Sequence, residues 1–114
     1  MRRGDVWWAA LVPRSGSEQR GERPVIVVSH DGFNETPGWR SVVVVPLTTS
    51  ARRARGRTAV ALPAGAGGLP ADSTALCHQV TTLDRTKLTR CLGSLDGEWM
   101  AGIGRGLRAA LDLG

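Results

Sequence analysis

Arg23 stands between a polar, glycine-containing stretch, Gly16-Ser17-Glu18-Gln19-Arg20-Gly21-Glu22, and a β-branched run, Val25-Ile26-Val27-Val28. Pro24 disfavours the helical region for the residue before it, so the guanidinium is carried on extended backbone. A guanidinium fixed at the mouth of a strand, beside a polar loop able to fold over it, has the geometry to grip a phosphate. Two further polar clusters stand where strands are expected to end. One is Thr48-Thr49-Ser50, with three hydroxyls, and the other is His78-Gln79. Together they offer anion binding by cation and hydroxyl, with an imidazole that titrates near neutrality.

The charge balance supports an anionic partner. Fifteen basic and ten acidic side chains give a net charge of +5, and the excess is local. Between Thr36 and Ala71 there are five arginines (Arg40, Arg52, Arg53, Arg55 and Arg57) and no acid. Such a patch favours polyanions such as nucleic acid; the plain alternative is a solvated loop that keeps the chain in solution. Cys77 and Cys91 are too far apart for a redox or zinc pair, which points to reduced, partly buried thiols, a cytosolic setting and no metal or cofactor. Met1-Arg2-Arg3 is followed by Gly-Asp and not by an apolar run, so neither a signal peptide nor a membrane span is expected.

At 114 residues the chain is expected to form one domain, 1–114. Asp5–Val12 has strand composition, and the adjacent Trp7 and Trp8 must face opposite sides of it. One is expected in the core, the other toward solvent, a partner subunit or a base. Further strands are expected at Val25–Ser29, at Ser41–Val45 (stopped by Pro46), at Thr58–Leu62 and within Ser73–Thr82. Pro63–Asp72 reads as a loop, Asp84–Leu88 as a short helical turn and Leu92–Leu95 as at most a brief strand. Asp96 caps a final helix, with Leu95 and Met100 as a hydrophobic staple. Its apolar face is Trp99, Met100, Ile103, Leu107, Ala110 and Leu111. Short strands punctuated by Gly and Pro, followed by one C-terminal helix, imply a mainly β fold: a small antiparallel barrel.

The motifs fall in a recognisable order. Arg3-Gly4-Asp5-Val6-Trp7, Gly16-Ser17-Glu18-Gln19, Arg23-Pro24-Val25, Val45-Pro46-Leu47-Thr48, Gly68-Leu69-Pro70 with Asp72-Ser73, Ala75-Leu76-Cys77-His78-Gln79 and Thr82-Leu83-Asp84 follow one another over nearly the whole chain. The set resembles the MazF/PemK family of toxin endoribonucleases. The resemblance implies an SH3-like barrel of the CcdB/MazF kind that forms a homodimer. It also implies sequence-selective cleavage of single-stranded RNA (mRNA, with tRNA or rRNA as further targets) without a metal. The partner implied is a cognate antitoxin whose flexible, partly acidic tail occupies the RNA groove.

In cleavage of this type the 2′-hydroxyl attacks the neighbouring phosphate, leaving a 2′,3′-cyclic phosphate and a 5′-hydroxyl. Charge builds on the non-bridging oxygens, and a positioned cation stabilises it. The resemblance assigns that role to Arg23, as an electrostatic stabiliser, because a pKa above about 12 makes arginine a poor general acid. It assigns Thr48 a hydroxyl hydrogen bond to the scissile phosphate. Glu18 and Gln19 are implied RNA contacts, Glu18 also as a proton acceptor; Ser17, Thr49, Gln79, Arg52 and Arg53 complete the expected RNA-binding set. Some relatives carry a carboxylate at the position of His78 and a histidine at that of Ser17. His78 therefore stands as general base, base-reading hydrogen bonder or ordinary strand residue, and the acid and base are left between Glu18 and His78. His30, beside the Asp-Gly turn, is expected to be structural. A CcdB-like toxin that binds gyrase and a non-catalytic RNA-binding barrel are the alternatives. The C-terminal Ala-Leu-Asp-Leu-Gly lacks the terminal Trp on which CcdB-like toxins act.

Overall fold

The computed structural model describes residues 1–11, 21–50 and 56–114. Seven strands, β1 (Asp5–Leu11), β2 (Gly21–Val27), β3 (Ser41–Thr48), β4 (Ala59–Leu62), β5 (Ser73–Leu76), β6 (Thr81–Asp84) and β7 (Leu88–Ser94), accompany a one-turn helix α1 (Asp31–Asn34) and a C-terminal helix α2 (Gly97–Leu111). All pairings are antiparallel. The path runs β4-β5-β3-β2-β1-β7, with β6 joining β3 alongside β5. The expected mainly β architecture with a C-terminal helix is present. The two ends of the path, β4 and β7, do not pair with each other among the described residues, so the curved sheet stays open.

Strand β3 is the hub. Its Val42–Val45 run sends alternate side chains to opposite faces, and both faces are buried. Val45 and Leu47 join Val6, Ile26, Ala75 and Ile103 in the cluster under α2. Val42 and Val44 join Ala9, Val25, Val27 and Leu88 on the other face. Contrary to expectation, Pro46 does not stop this strand. One edge of β3 pairs with β6 up to Val44 and with β5 from Leu47. Pro46 falls at that handover, so its missing N–H interrupts no continuous ladder there.

Two other strands are longer than expected. β2 starts at Gly21, so Arg23 and Pro24 lie inside it; Pro24 is accepted because pairing with β3 is recorded only from Val25. β7 begins at Leu88, and its register against β1 shifts at two places, between Val6 and Trp7 and between Trp8 and Ala9. Those bulges erase the period-two pattern by which a strand is recognised in sequence.

Close backbone approaches explain the Gly68-Leu69-Pro70 segment. A Cβ on Gly68 would sit 2.1 Å from the Leu92 carbonyl oxygen, and the residue has φ +78°. No other residue fits there. Gly106 likewise lets α2 settle on the Cys77 side chain, since a Cβ there would meet Sγ at 2.6 Å. This contact helps hold a helix whose glycines each cost up to ~1 kcal/mol. Asp96 caps α2 by accepting the Trp99 N–H at 3.0 Å. Trp99, Met100, Leu107 and Ala110 pack with buried Ile103 against the core; Leu111, expected on that face, is half exposed. Cys77 is buried and Cys91 exposed, so only one of the two thiols has the expected burial.

Candidate functional site

The β2–β3 ladder pairs Val27 with Val44, Ile26 with Val45 and Val25 with Pro46. Carried two residues further, the same register sets Arg23 opposite Thr48, both within their strands. Directly opposed residues in an antiparallel pair share a face, with Cα atoms about 5 Å apart. By strand parity Arg23 and Thr48 therefore fall on one face of the sheet, that of Val25, Val27, Val42 and Val44, level with Ala9 of the same apolar cluster.

Register extends this relationship across the sheet. Ala9 pairs with Arg23, Thr48 with Thr74, and Thr74 with Ala61. Two paired segments, Ala9–Arg23 and Thr48–Thr74–Ala61, thus line up as a transverse row when the β2–β3 register is continued two residues past its last pair, with one cation and two hydroxyls flanked by alanines. Arg23 is half-buried, which weakens solvent screening of its charge. Thr48 is buried, and its Oγ1 accepts the backbone N–H of Ser50 at 3.1 Å. A hydroxyl that accepts in this way still has its proton to donate.

His78 and Gln79 are exposed in the 3₁₀ turn Cys77–Gln79, Nε2 to Nε2 3.5 Å apart. That turn joins the residue paired with Leu47 to the one paired with Val44. His78 thus lies past the end of β5, outside the Thr48–Thr74 pair. Thr49 is exposed immediately after β3. Ser17, Glu18, Gln19, Arg52 and Arg53 lie outside the described residues. Thr74 is the residue that sequence reading missed. Only its pairing with Thr48 marks it, and that is invisible without the β3–β5 register.

The two tryptophans on β1 do face opposite sides. Trp7 packs beside the Ala9–Val25 cluster; Trp8 lies on the other face with the Arg90 guanidinium 6.0 Å from its ring centroid. Both are half-buried, so neither fills the core as expected of one.

A second concavity, of about 480 Å³, is lined by residues 34–40 and 84–86. Phe33 and Trp39 stack at its rim, 5.1 Å between centroids. The arginines here are committed: Arg40 pairs with Asp84 at 3.1 Å, and Arg85 donates to the carbonyls of Phe33, Asn34 and Trp39. Glu35 and Asp84 balance Arg40 and Arg85 in the lining, so this cleft has no surplus charge for an anion. His30 has the expected structural part. It caps α1, its Nδ1 accepting the Gly32 N–H at 2.8 Å.

Among the described residues no helix is long and apolar enough to cross a membrane. Comparison with known proteins gives one answer throughout. Residues 2–111 match the family model described as PemK-like, MazF-like toxin of type II toxin–antitoxin system. Endoribonuclease EndoA of Bacillus subtilis (strain 168) is 36% identical over 114 residues, covering 99% of this chain and 96% of that protein. Endoribonuclease MazF of Staphylococcus saprophyticus is 34% identical over 113 residues, covering 99% of this chain and 92% of that protein. A mycobacterial endoribonuclease solved in complex with its cognate antitoxin superimposes with TM-score 0.80 at 28% identity, covering 100% of this chain and 97% of that one. A MazE–MazF crystal structure from Deinococcus radiodurans gives TM-score 0.76 at 25% identity, covering 100% and 97%. With the family model spanning nearly its whole length and these relatives at this identity, the chain belongs to the PemK-like, MazF-like toxin family of type II toxin–antitoxin systems.

Proposed function

We propose that this chain is a sequence-selective endoribonuclease toxin, neutralised by a cognate antitoxin and acting in the cytoplasm as a homodimer on single-stranded RNA. The observation that carries the reading is the β2–β3 register, which, continued two residues past Val25–Pro46, sets Arg23 opposite Thr48 on one face of the sheet. A guanidinium and a hydroxyl one strand spacing apart offer a phosphate two converging donors. As the substrate 2′-oxygen bonds to phosphorus and the 5′-oxygen departs with a proton, negative charge on the non-bridging oxygens peaks between these donors. Fixed donors stabilise that charge without reorganising, which lowers the barrier. The positive charge is supplied by the guanidinium, so no metal or cofactor is required.

Relatives named as endoribonucleases at 34–36% identity support the reaction class. Solved relatives in complex with a cognate antitoxin support the partner. In this reading Glu18 is the proton acceptor. The offset of His78 from the Thr48–Thr74 pair favours contact with a base over contact with the scissile phosphate. Ser17, Gln19, Thr49, Gln79, Arg52 and Arg53 are the further RNA contacts in this reading. Trp99 packs against the core in α2 and is not a free C-terminal group, so nothing here supports gyrase binding of the CcdB kind.

The test is incubation of the purified protein with a long RNA, with and without EDTA. Chelator-resistant fragments with 2′,3′-cyclic phosphate and 5′-hydroxyl ends are expected. Retarded but uncut RNA would replace this reading with a non-catalytic RNA-binding one.

A further inference from the structure

Of the groups sharing the face of Arg23 and Thr48, one has been given no role. Thr74 pairs directly with Thr48 across β3 and β5 and, on its other side, with Ala61 of β4. It is 8% exposed, against 4% for Thr48. Ala61 beside it is exposed and too small to cover the hydroxyl. The neighbouring hydroxyls on this segment are engaged: Ser73 Oγ donates to the Ala71 carbonyl at 2.9 Å, and Thr48 Oγ1 is oriented by Ser50. Thr74 Oγ1 has no such bond among the described residues, and it is not one of the polar side-chain atoms sealed from solvent.

Packing alone does not ask for a hydroxyl here. Thr and Val have the same shape, so either would fill this position. A hydroxyl with no protein partner that is not sealed from solvent keeps its proton available to an external acceptor. The row also fixes which acceptor that is. Arg23 and Thr48 flank one phosphate; Thr74 lies one strand spacing, about 5 Å, beyond Thr48 along the same line. An RNA backbone that runs along this row brings its next phosphate over Thr74.

We infer that Thr74 is a substrate-binding residue whose hydroxyl donates to the phosphodiester next to the scissile one, extending the grip on the RNA backbone from one phosphate to two. This rests on the endoribonuclease reading above and adds to it a residue and a contact. Being a backbone contact, it strengthens binding without selecting a sequence.

Three proteins, wild type, Thr74→Val and Thr74→Ser, are assayed on a short RNA oligonucleotide carrying a mapped cleavage site. Thr74→Val should raise KM about tenfold, as expected for one lost hydrogen bond to a charged group, with kcat little changed. Thr74→Ser, which keeps the hydroxyl and loses the methyl, should stay near wild type. A purely structural role would give the opposite order, with Val tolerated and Ser impaired. Oligonucleotides with a neutral methylphosphonate at the phosphodiester on either side of the cut locate the contact. On the one that removes the Thr74 acceptor, wild type and Thr74→Val should have equal KM. An unchanged KM for Thr74→Val, or the same Thr74→Val penalty on every oligonucleotide, would overturn the inference. A wild-type protein that cuts no RNA would instead overturn the endoribonuclease reading itself.

Discussion

The hydroxyl of Thr48 accepts the backbone N–H of Ser50 at 3.1 Å, which holds its oxygen in place before any substrate arrives. A donor that needs no reorientation contributes more to a charged transition state than a mobile one. Thr48→Ser should keep the bond to Ser50 and most of the cleavage rate. Thr48→Val should lower kcat/KM by roughly ten- to a hundredfold while far-UV circular dichroism stays unchanged. Equal activity of the serine and valine variants would show that the hydroxyl takes no part.

The contact between Gly106 and Cys77 predicts a stability effect remote from the row. Gly106→Ala places a Cβ 2.6 Å from Cys77 Sγ. Overpacking should outweigh the gain in helix propensity and destabilise the protein by about 1–3 kcal/mol. Denaturant unfolding of Gly106→Ala, Cys77→Ala and the double variant checks this. The double variant should be more stable than the two single losses add up to, because the smaller side chain at 77 makes room for the new methyl.

Thiol chemistry should separate the two cysteines. Burial pushes the Cys77 thiol up to about 11, whereas Cys91 is exposed. Iodoacetamide at pH 8 should label one site in the native protein, at Cys91, and a second only after unfolding, as the thiolate is the reacting form. Mass spectrometry of the labelled peptides reads the outcome; native labelling at Cys77 would mean that α2 opens readily.

Two surface carboxylates contribute to the acid limb of stability. The Arg3 backbone N–H, helped by the Asn34 side chain, holds Asp31 below the usual carboxylate value; the Thr86 N–H and hydroxyl, with Arg40, do the same for Asp84. A carboxylate depressed in the folded state stabilises above its unfolded value near 3.8 and loses that contribution as pH falls through the folded value. Thermal midpoints should therefore be level above about pH 5 and fall on acidification. Asp31→Asn and Asp84→Asn should each make that fall shallower.

Much of this was legible in the sequence because it depends on local chemistry. Asp96 before an apolar helical stripe gave the cap of α2, and the β-branched run Ser41–Val45 gave the first part of β3. Arg23 and Thr48 were marked by residue type and by motif order. What could not be seen was register. Pro46 reads as a strand stop, and only the change of neighbours from β6 to β5 explains why the chain continues through it to Thr48. The bulges of β7 hid a seven-residue strand, and the cross-strand pairing that makes Thr74 a neighbour of Thr48 involves residues 26 apart in the chain.

The most direct test is a double-mutant cycle on RNA cleavage with Arg23→Ala, Thr48→Val and the combined variant, each confirmed to fold. If both side chains hold the same phosphate, either single change should remove most of the activity, and the combination should cost far less than the product of the two losses. Fully multiplicative losses, or near wild-type cleavage by Arg23→Ala, would mean that the two residues do not act on a common phosphate.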